Sequence, residues 1–185
     1  MTKFEYLSVL ISIIIGLGIN DVMMSWGRLI RNRRRVRFYW LHGFWSAFVL
    51  FLMIQFWWGF WNFRVIEHWS LLNLMIAVLE GMMLVLCAIQ LMPSRTSDID
   101  IDLRERYFDS RQPFFILGAL TLVQMTITDI FIIGIPVLHS ENGVRLAGAG
   151  VAALLAWSPN PRLHAVMPAI ALVLLGAFLT YAIMV

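Results

Sequence analysis

The sequence predicts an all-α fold: a polytopic membrane bundle of six transmembrane helices that forms one membrane domain over residues 1–185. Hydrophobic residues make up 61% of the chain and charged residues 14%, and the mean hydropathy is +0.80, which excludes a water-soluble globular domain. Five of six apolar stretches are long enough to cross a hydrocarbon layer of about 30 Å. The six stretches cover residues 4–30, 38–63, 69–92, 114–138, 143–158 and 162–185.

The first stretch predicts a retained helix instead of a cleaved signal peptide. It lacks a basic leading region and a small-residue cleavage site, and Asp21 interrupts its apolar run. Gly16 and Gly18 predict a close approach of a neighbouring helix. The second stretch is rich in aromatic residues, and its tryptophans near the outer end are typical of an interfacial belt.

The third and fourth stretches carry polar residues where a lipid-facing helix would have none. Asn73 and Glu80 lie on one helical stripe of the third stretch. The fourth has a polar cluster that ends at Asp129, and Pro136 is expected to bend or end that helix. These faces are expected to point into the bundle.

The last two stretches and the loop before the fourth differ in kind. The fifth stretch is only 16 residues long and consists largely of alanine and glycine, so we expect other helices to surround it. A sixth span is expected from Arg162. The loop at 94–113 is predicted to be a cytoplasmic interfacial segment, with a short helix from about Asp100 whose apolar residues face the membrane. Its alternating aspartates do not complete a calcium loop, because Leu103 stands where that loop needs glycine.

Basic residues are distributed unequally between the two sets of loops. Of the 14 basic residues, 11 fall on one side of the predicted spans and three on the other. The positive-inside rule then places both termini outside the cytoplasm. We interpret the arginine run as a membrane-surface segment that binds lipid headgroups, and nucleic acid is not an expected partner. The run comprises Arg31, Arg33, Arg34, Arg35 and Arg37.

Three carboxylates near the middle of apolar stretches are the candidate functional residues. Burying an acid in a membrane costs about 2.5–3.5 kcal/mol by insertion scales, and a buried carboxyl group can exchange a proton for a cation. The leading hypothesis is therefore a small transporter or channel for a cation or protons, assembled as a homo-oligomer. The predicted pathway consists of Asp21, Glu80, Asp129, Asn20, Asn73, Gln124 and Thr128.

A 3+3 inverted repeat would place Asp21 slightly on the cytoplasmic side of the membrane midplane and Asp129 slightly on the outer side, at heights that differ by roughly 10 Å. Residues 19–22 (INDV) resemble residues 127–130 (ITDI), and each fragment holds an aspartate well inside its span. Inverted repeats with polar sites near the membrane midplane recur in transporters.

Two alternatives remain open. The chain could be a non-catalytic structural or regulatory subunit that docks on a larger membrane complex through its second and fifth helices. It could also be a membrane cytochrome, because axial histidines on facing helices can hold haem. The histidines concerned are His42 and His164 on the predicted cytoplasmic side, and His68 and His139 on the other. No sequence motif of an enzyme, a redox dithiol or a metal site is present, so we expect no catalytic activity, bound metal or other cofactor.

Four segments carry a resemblance to known proteins: FEYLSVLISIIIGLGI at 4–19, RVRFYWLH at 35–42, QFWW at 55–58 and DLRERYFDSRQPFF at 102–115. Together they resemble a group of uncharacterised small six-span proteins of the bacterial inner membrane. The resemblance implies a location in the bacterial inner membrane and gives no information about activity. The layout also looks loosely like the LysE-type exporters, an analogy at the level of fold.

Overall fold

The computed structural model describes residues 3–66, 69–93, 100–137 and 139–184, and these are helical almost throughout. Within those ranges the chain forms six α-helices and one pair of two-residue parallel strands. The helices are α1 (Lys3–Arg31), α2 (Trp40–Gly59), α3 (Leu71–Leu91), α4 (Leu103–Thr128), α5 (Ser140–Trp157) and α6 (Pro161–Met184), and the strands are β1 (Val36–Arg37) and β2 (Ile101–Asp102).

The described part of the chain contains five helical runs that are long and apolar enough to cross a membrane. They are Phe4–Arg31, Trp40–Arg64, Leu71–Leu91, Leu103–Ile133 and Pro161–Thr180. The chain is thus an all-α protein with the features of a multi-pass membrane protein. Helix α5 is not among these runs, because Glu141, Arg145 and its many small residues lower its hydropathy. The sixth predicted span is therefore not confirmed.

Helix α4 begins at Leu103, well before the predicted start at residue 114. The side chain of Asp102 explains this early start, because its Oδ1 accepts hydrogen bonds from the backbone N–H groups of Arg104 (2.8 Å) and Glu105 (3.3 Å). Such a cap satisfies donors that the first helical turn leaves unpaired. The segment expected to lie at the interface thus divides: residues 94–99 lie outside the described ranges, and the rest from Leu103 joins α4 without a break.

The chain divides into two compact units, Met1–Ser110 and Arg111–Val185. In the first unit, α1, α2 and α3 pack closely around Gly18. A Cβ atom at that position would lie 2.7 Å from Cγ2 of Val85 on α3 and 3.0 Å from Cε of Met53 on α2. Gly18 therefore permits the close approach that the sequence predicted. At Gly16 a Cβ atom would meet nothing within 4 Å, so the same expectation was wrong there.

Backbone carbonyls at the end of α3 accept hydrogen bonds from side chains of two other segments of the first unit. Nε2 of His42 lies 3.0 Å from the Leu91 carbonyl oxygen. A terminal guanidinium nitrogen of Arg106 donates to the carbonyls of Gln90 (3.1 Å) and Met92 (2.8 Å). These bonds satisfy acceptors that the last turn of a helix leaves unpaired. Strand β1 lies just before α2 in the sequence, and β2 lies just before α4. Their pairing joins the link between α1 and α2 to the segment that leads into α4.

In the second unit, the helical run of α4 ends in a π-helical turn at Asp129–Ile133. Gly134 follows in the left-handed conformation, with φ of 82°, and the backbone N–H of Ile135 donates to the Asp129 carbonyl over 3.0 Å. Glycine suits this position because it has no Cβ to clash there. The run therefore ends just before Pro136, close to where the sequence predicted an end.

Candidate functional site

Glu80 lies in the middle of α3 and is 5% exposed. Buried apolar residues extend along the same face, including Ala77, Leu84 and Cys87. The predicted stripe of α3 is thus a buried face of the first unit. Asn73 is half-buried in the first turn of α3, where its backbone N–H donates to the hydroxyl of the capping residue Ser70 over 3.1 Å.

Asp21 lies on α1 and is half-buried, whereas its neighbour Asn20 is exposed. One turn further along, a guanidinium nitrogen of Arg28 donates to the Ser25 hydroxyl over 2.7 Å. Asp21, Ser25 and Arg28 are spaced i, i+4 and i+7 and so share one face of α1, on which Ser25 and Arg28 contact each other directly. The polar end of α1 is therefore an organised part of the first unit, and Asn20 lies outside its interior.

Asp21 and Glu80 lie at different depths of the first unit. Helices α1 and α3 run in the same direction, with Ile15 beside Gly81 and Gly18 beside Val85, an offset of 66 to 67 residues. Glu80 is therefore level with residue 13 or 14 of α1. Asp21 is seven or eight residues further along, roughly 11 Å at 1.5 Å per residue. A cation bound at 2.3–2.6 Å from each ligand bridges oxygens only about 5 Å apart, so this offset does not favour a cation site shared by the two acids.

A packed apolar layer separates the levels of these two acids. It consists of Gly18, Met53 and Val85, whose spacing leaves no room for a methyl group at Gly18. Helices α1 and α3 are therefore in tight contact between the levels of Asp21 and Glu80.

Asp129 forms an ion pair with an arginine of α5. Its carboxylate accepts a hydrogen bond from Nη1 of Arg145 on α5, and both side chains are mostly buried, at 8% and 15% exposure. Arg145 also lies 4.0 Å from the Glu141 carboxylate, and its guanidinium carbon lies 5.3 Å from the ring centroid of Phe178. Asp129 is thus neutralised by Arg145 inside the second unit.

Arg145 is the residue that the sequence reasoning missed, because it was counted only as one of three basic residues on the less basic side. The sequence did indicate a role for Arg145, since Glu141 and Arg145 are spaced i, i+4. They lie in a stretch whose residues are smaller and more polar than those of an ordinary membrane span. A buried arginine in such a helix needs an acid on a neighbouring helix.

Gln124 and Thr128 accompany Asp129 on α4. The Thr128 hydroxyl donates to the backbone carbonyl of Gln124 over 3.0 Å, a bond within its own helix. The amide side chain of Gln124 is half-buried. Local structure also differs around the two aspartates of the suggested repeat: Asp21 is inside a regular α-helix, whereas Asp129 begins the π-helical turn. The inverted repeat stays a prediction.

The histidines considered for haem are in separate settings. Nε2 of His42 is held by the Leu91 carbonyl, and Nε2 of His164 lies 2.8 Å from the Ser158 carbonyl. A carbonyl only accepts, so each Nε2 carries a hydrogen. His139 is exposed, and His68 lies outside the described residues. In the part of the chain that is described, no three His, Cys, Asp or Glu residues are grouped to hold a metal ion.

Comparison with models of protein families, with characterised proteins and with solved structures found no match to this chain.

Proposed function

We propose that this chain is a small multi-pass membrane transporter that moves protons, with Glu80 and Asp21 as proton-carrying groups in the first unit. The observation that carries this proposal is the burial of Glu80 in the middle of a helix long and apolar enough to span a membrane. Burying an acid there costs about 2.5–3.5 kcal/mol, whereas hydrogen bonds between membrane helices average about 0.6 kcal/mol. Packing alone is a weak reason to keep such an acid.

The spacing of the acids favours protons over metal cations. A metal ion needs several oxygen ligands around one point, and Glu80 and Asp21 are separated by roughly 11 Å along the helix axes. A proton needs only one carboxylate at a time. Asp129 is not part of the proposed pathway, because Arg145 already neutralises it.

The tight packing around Gly18 favours a carrier over an open channel. Protons would pass between the levels of the two acids only when α1 and α3 shift relative to each other, which opens the Gly18–Val85 contact. Such movements between packed helices are a known way for transporters to alternate access.

Proton flux into liposomes that contain a pH-sensitive dye tests this function. Wild-type protein should acidify the lumen under a potassium diffusion potential, and Glu80→Gln should reduce the flux to that of protein-free liposomes. Glu105→Gln is the matched control, because Glu105 is exposed at the start of α4. Flux that persists in the Glu80→Gln protein, or in Glu80→Gln with Asp21→Asn, would remove these acids from the mechanism.

A second candidate is a non-catalytic structural or regulatory subunit of a larger membrane complex. The internal neutralisation of Asp129 by Arg145 favours it, since a paired charge has a structural explanation. Three tryptophans near the end of α2 are also largely exposed: Trp57 at 51%, Trp58 at 75% and Trp61 at 60%. Purification in a mild detergent separates the candidates, because an accessory subunit would retain foreign membrane proteins in fixed ratio, whereas the proposed transporter would purify as a homo-oligomer.

The proposed location is the bacterial inner membrane, with the N-terminus outside the cytoplasm. The position of the C-terminus depends on α5. If α5 crosses the membrane, there are six spans and both termini lie outside, as the charge distribution predicts. If α5 does not cross, the C-terminus is cytoplasmic, and a fluorescent protein that folds only in the cytoplasm would fluoresce when fused there.

A further inference from the structure

We propose that the arginine turn between α1 and α2 is a binding site for the phosphate groups of anionic phospholipids. The arginine turn comprises residues 31–37, in which Arg33–Arg35 form a single 3₁₀ turn between the end of α1 and β1. This proposal does not depend on the transport function. It goes beyond a general preference of basic loops for one side of the membrane, because it assigns a defined site and a ligand class.

The backbone holds the arginine turn in a fixed shape. The N–H of Asn32 donates to the Arg28 carbonyl over 3.0 Å, and the N–H of Arg35 donates to the Asn32 carbonyl over 2.8 Å. At the end of the turn, Val36 and Arg37 pair with Ile101 and Asp102. With three residues per 3₁₀ turn, consecutive side chains of Arg33–Arg35 point about 120° apart. They therefore fan out around the turn instead of forming one flat row.

Within the described ranges, few acids lie near the charges of this turn. The side chains of Arg31, Arg33, Arg34 and Arg35 are exposed, and none has an acidic partner among the residues that the structure describes. Nη1 of Arg37 lies 3.8 Å from the Asp102 carboxylate, and the Arg37 side chain remains 87% exposed. Guanidinium groups bind phosphate oxygens through paired hydrogen bonds, which suits them to lipid headgroups.

Exposed apolar side chains next to the turn favour a lipid over a soluble anion. Ile30 is 65% exposed, Phe38 75% and Trp40 47%. Between the last two, Tyr39 packs inward against Tyr107, with ring centroids 5.7 Å apart. Apolar and aromatic groups that flank a basic cluster at the ends of two span-length helices match the acyl-chain boundary below a headgroup. A free phosphate ion or a nucleic acid would leave these side chains in water.

Lipid retention by the full-length protein tests the assignment. The protein in neutral detergent is mixed with cardiolipin, phosphatidylglycerol or phosphatidylcholine at equal phosphate concentration, and bound lipid is counted by native mass spectrometry. We expect retention of the two anionic lipids and little retention of phosphatidylcholine. Arg33→Gln with Arg34→Gln should weaken anionic-lipid binding by roughly tenfold or more. The control of equal charge change is Arg64→Gln with Arg162→Gln, at two exposed arginines elsewhere, and it should bind as the wild type does.

Four outcomes would overturn the proposal. Equal retention of phosphatidylcholine would show that charge plays no part, and equal loss in the two double variants would show that the turn is not the site. Displacement of cardiolipin by inorganic phosphate at a similar concentration would identify a general anion site. Tight binding of a short single-stranded RNA that needs Arg33 and Arg34, with lipid retention unchanged in the variant, would identify a nucleic-acid site.

Discussion

The Asp129–Arg145 ion pair predicts that two single substitutions destabilise the protein unequally. Arg145→Gln leaves the carboxylates of Asp129 and Glu141 near each other with no cation between them. Asp129→Asn leaves Arg145 with the Glu141 carboxylate at 4.0 Å and the Phe178 ring at 5.3 Å. Removal of the arginine should therefore be the more damaging change.

The magnitudes follow from burial. Removing one partner of a buried pair costs about 3–5 kcal/mol, and the exposures of 8% and 15% place this pair in that class. We expect Arg145→Gln to lower the free energy of unfolding by about 3 kcal/mol or more. Asp129→Asn keeps an oxygen acceptor for Arg145, so we expect a loss of about 1–2 kcal/mol. The double variant should lose less than the sum of the singles, with a coupling of about 1–3 kcal/mol.

Unfolding in mixed micelles with increasing sodium dodecyl sulfate, followed by circular dichroism, measures these differences. Arg64→Gln is the control because Arg64 is exposed, and its effect should stay within about 0.5 kcal/mol. The reasoning would be refuted if both single variants matched this control, or if Asp129→Asn were the more destabilising of the two.

Three further predictions, which use four substitutions, concern the packing and capping of the first unit. Gly18→Ala should lower stability by about 1–3 kcal/mol, because its new methyl group would meet Val85, whereas Gly16→Ala, with nothing within 4 Å, should be neutral or slightly stabilising. His42→Leu should cost about 1–3 kcal/mol, since it removes the buried hydrogen bond to the end of α3. Backbone N–H groups of the first turn of α4, chiefly that of Arg104, hold the pKa of Asp102 below its usual range. The ionised Asp102 carboxylate therefore stabilises the fold above about pH 4, and this stabilisation disappears as the pH falls through the lowered pKa. Asp102→Asn should reduce the dependence of the free energy of unfolding on pH in the acid range.

The same unfolding assay decides all three. Equal effects of alanine at positions 16 and 18 would contradict the close contact of α1 with α3. A stable His42→Leu protein would show that the α3 carbonyl finds another donor. An unchanged acid profile in Asp102→Asn would show that the cap contributes nothing to folding.

Several features of the fold could be predicted from composition along the chain. Long apolar runs show the positions of the helices that can cross a membrane. A helix in lipid forms all its backbone hydrogen bonds internally, so it needs only apolar side chains on its surface. The stripe of buried residues around Glu80 on α3 could also be predicted, since it depends on spacing within one helix. The sequence also showed that the fifth stretch differs from the other five, because it is short and rich in small residues.

Other features depend on which helices meet and at what height. The sequence alone cannot separate Gly16 from Gly18, and only the packing of α1 against Val85 and Met53 does so. Nor does hydropathy show that Asp129 is paired, because its partner lies 16 residues away on another helix.

Composition therefore determined that this protein is a set of membrane-length helices with acids in their interiors. The tertiary structure paired Asp129 with an arginine and placed a tight helix contact at Gly18 between the levels of Asp21 and Glu80. The physical reason is that the hydropathy of a segment is a sum over its own residues, whereas the surroundings of a buried charge depend on the relative register of helices that are distant in sequence.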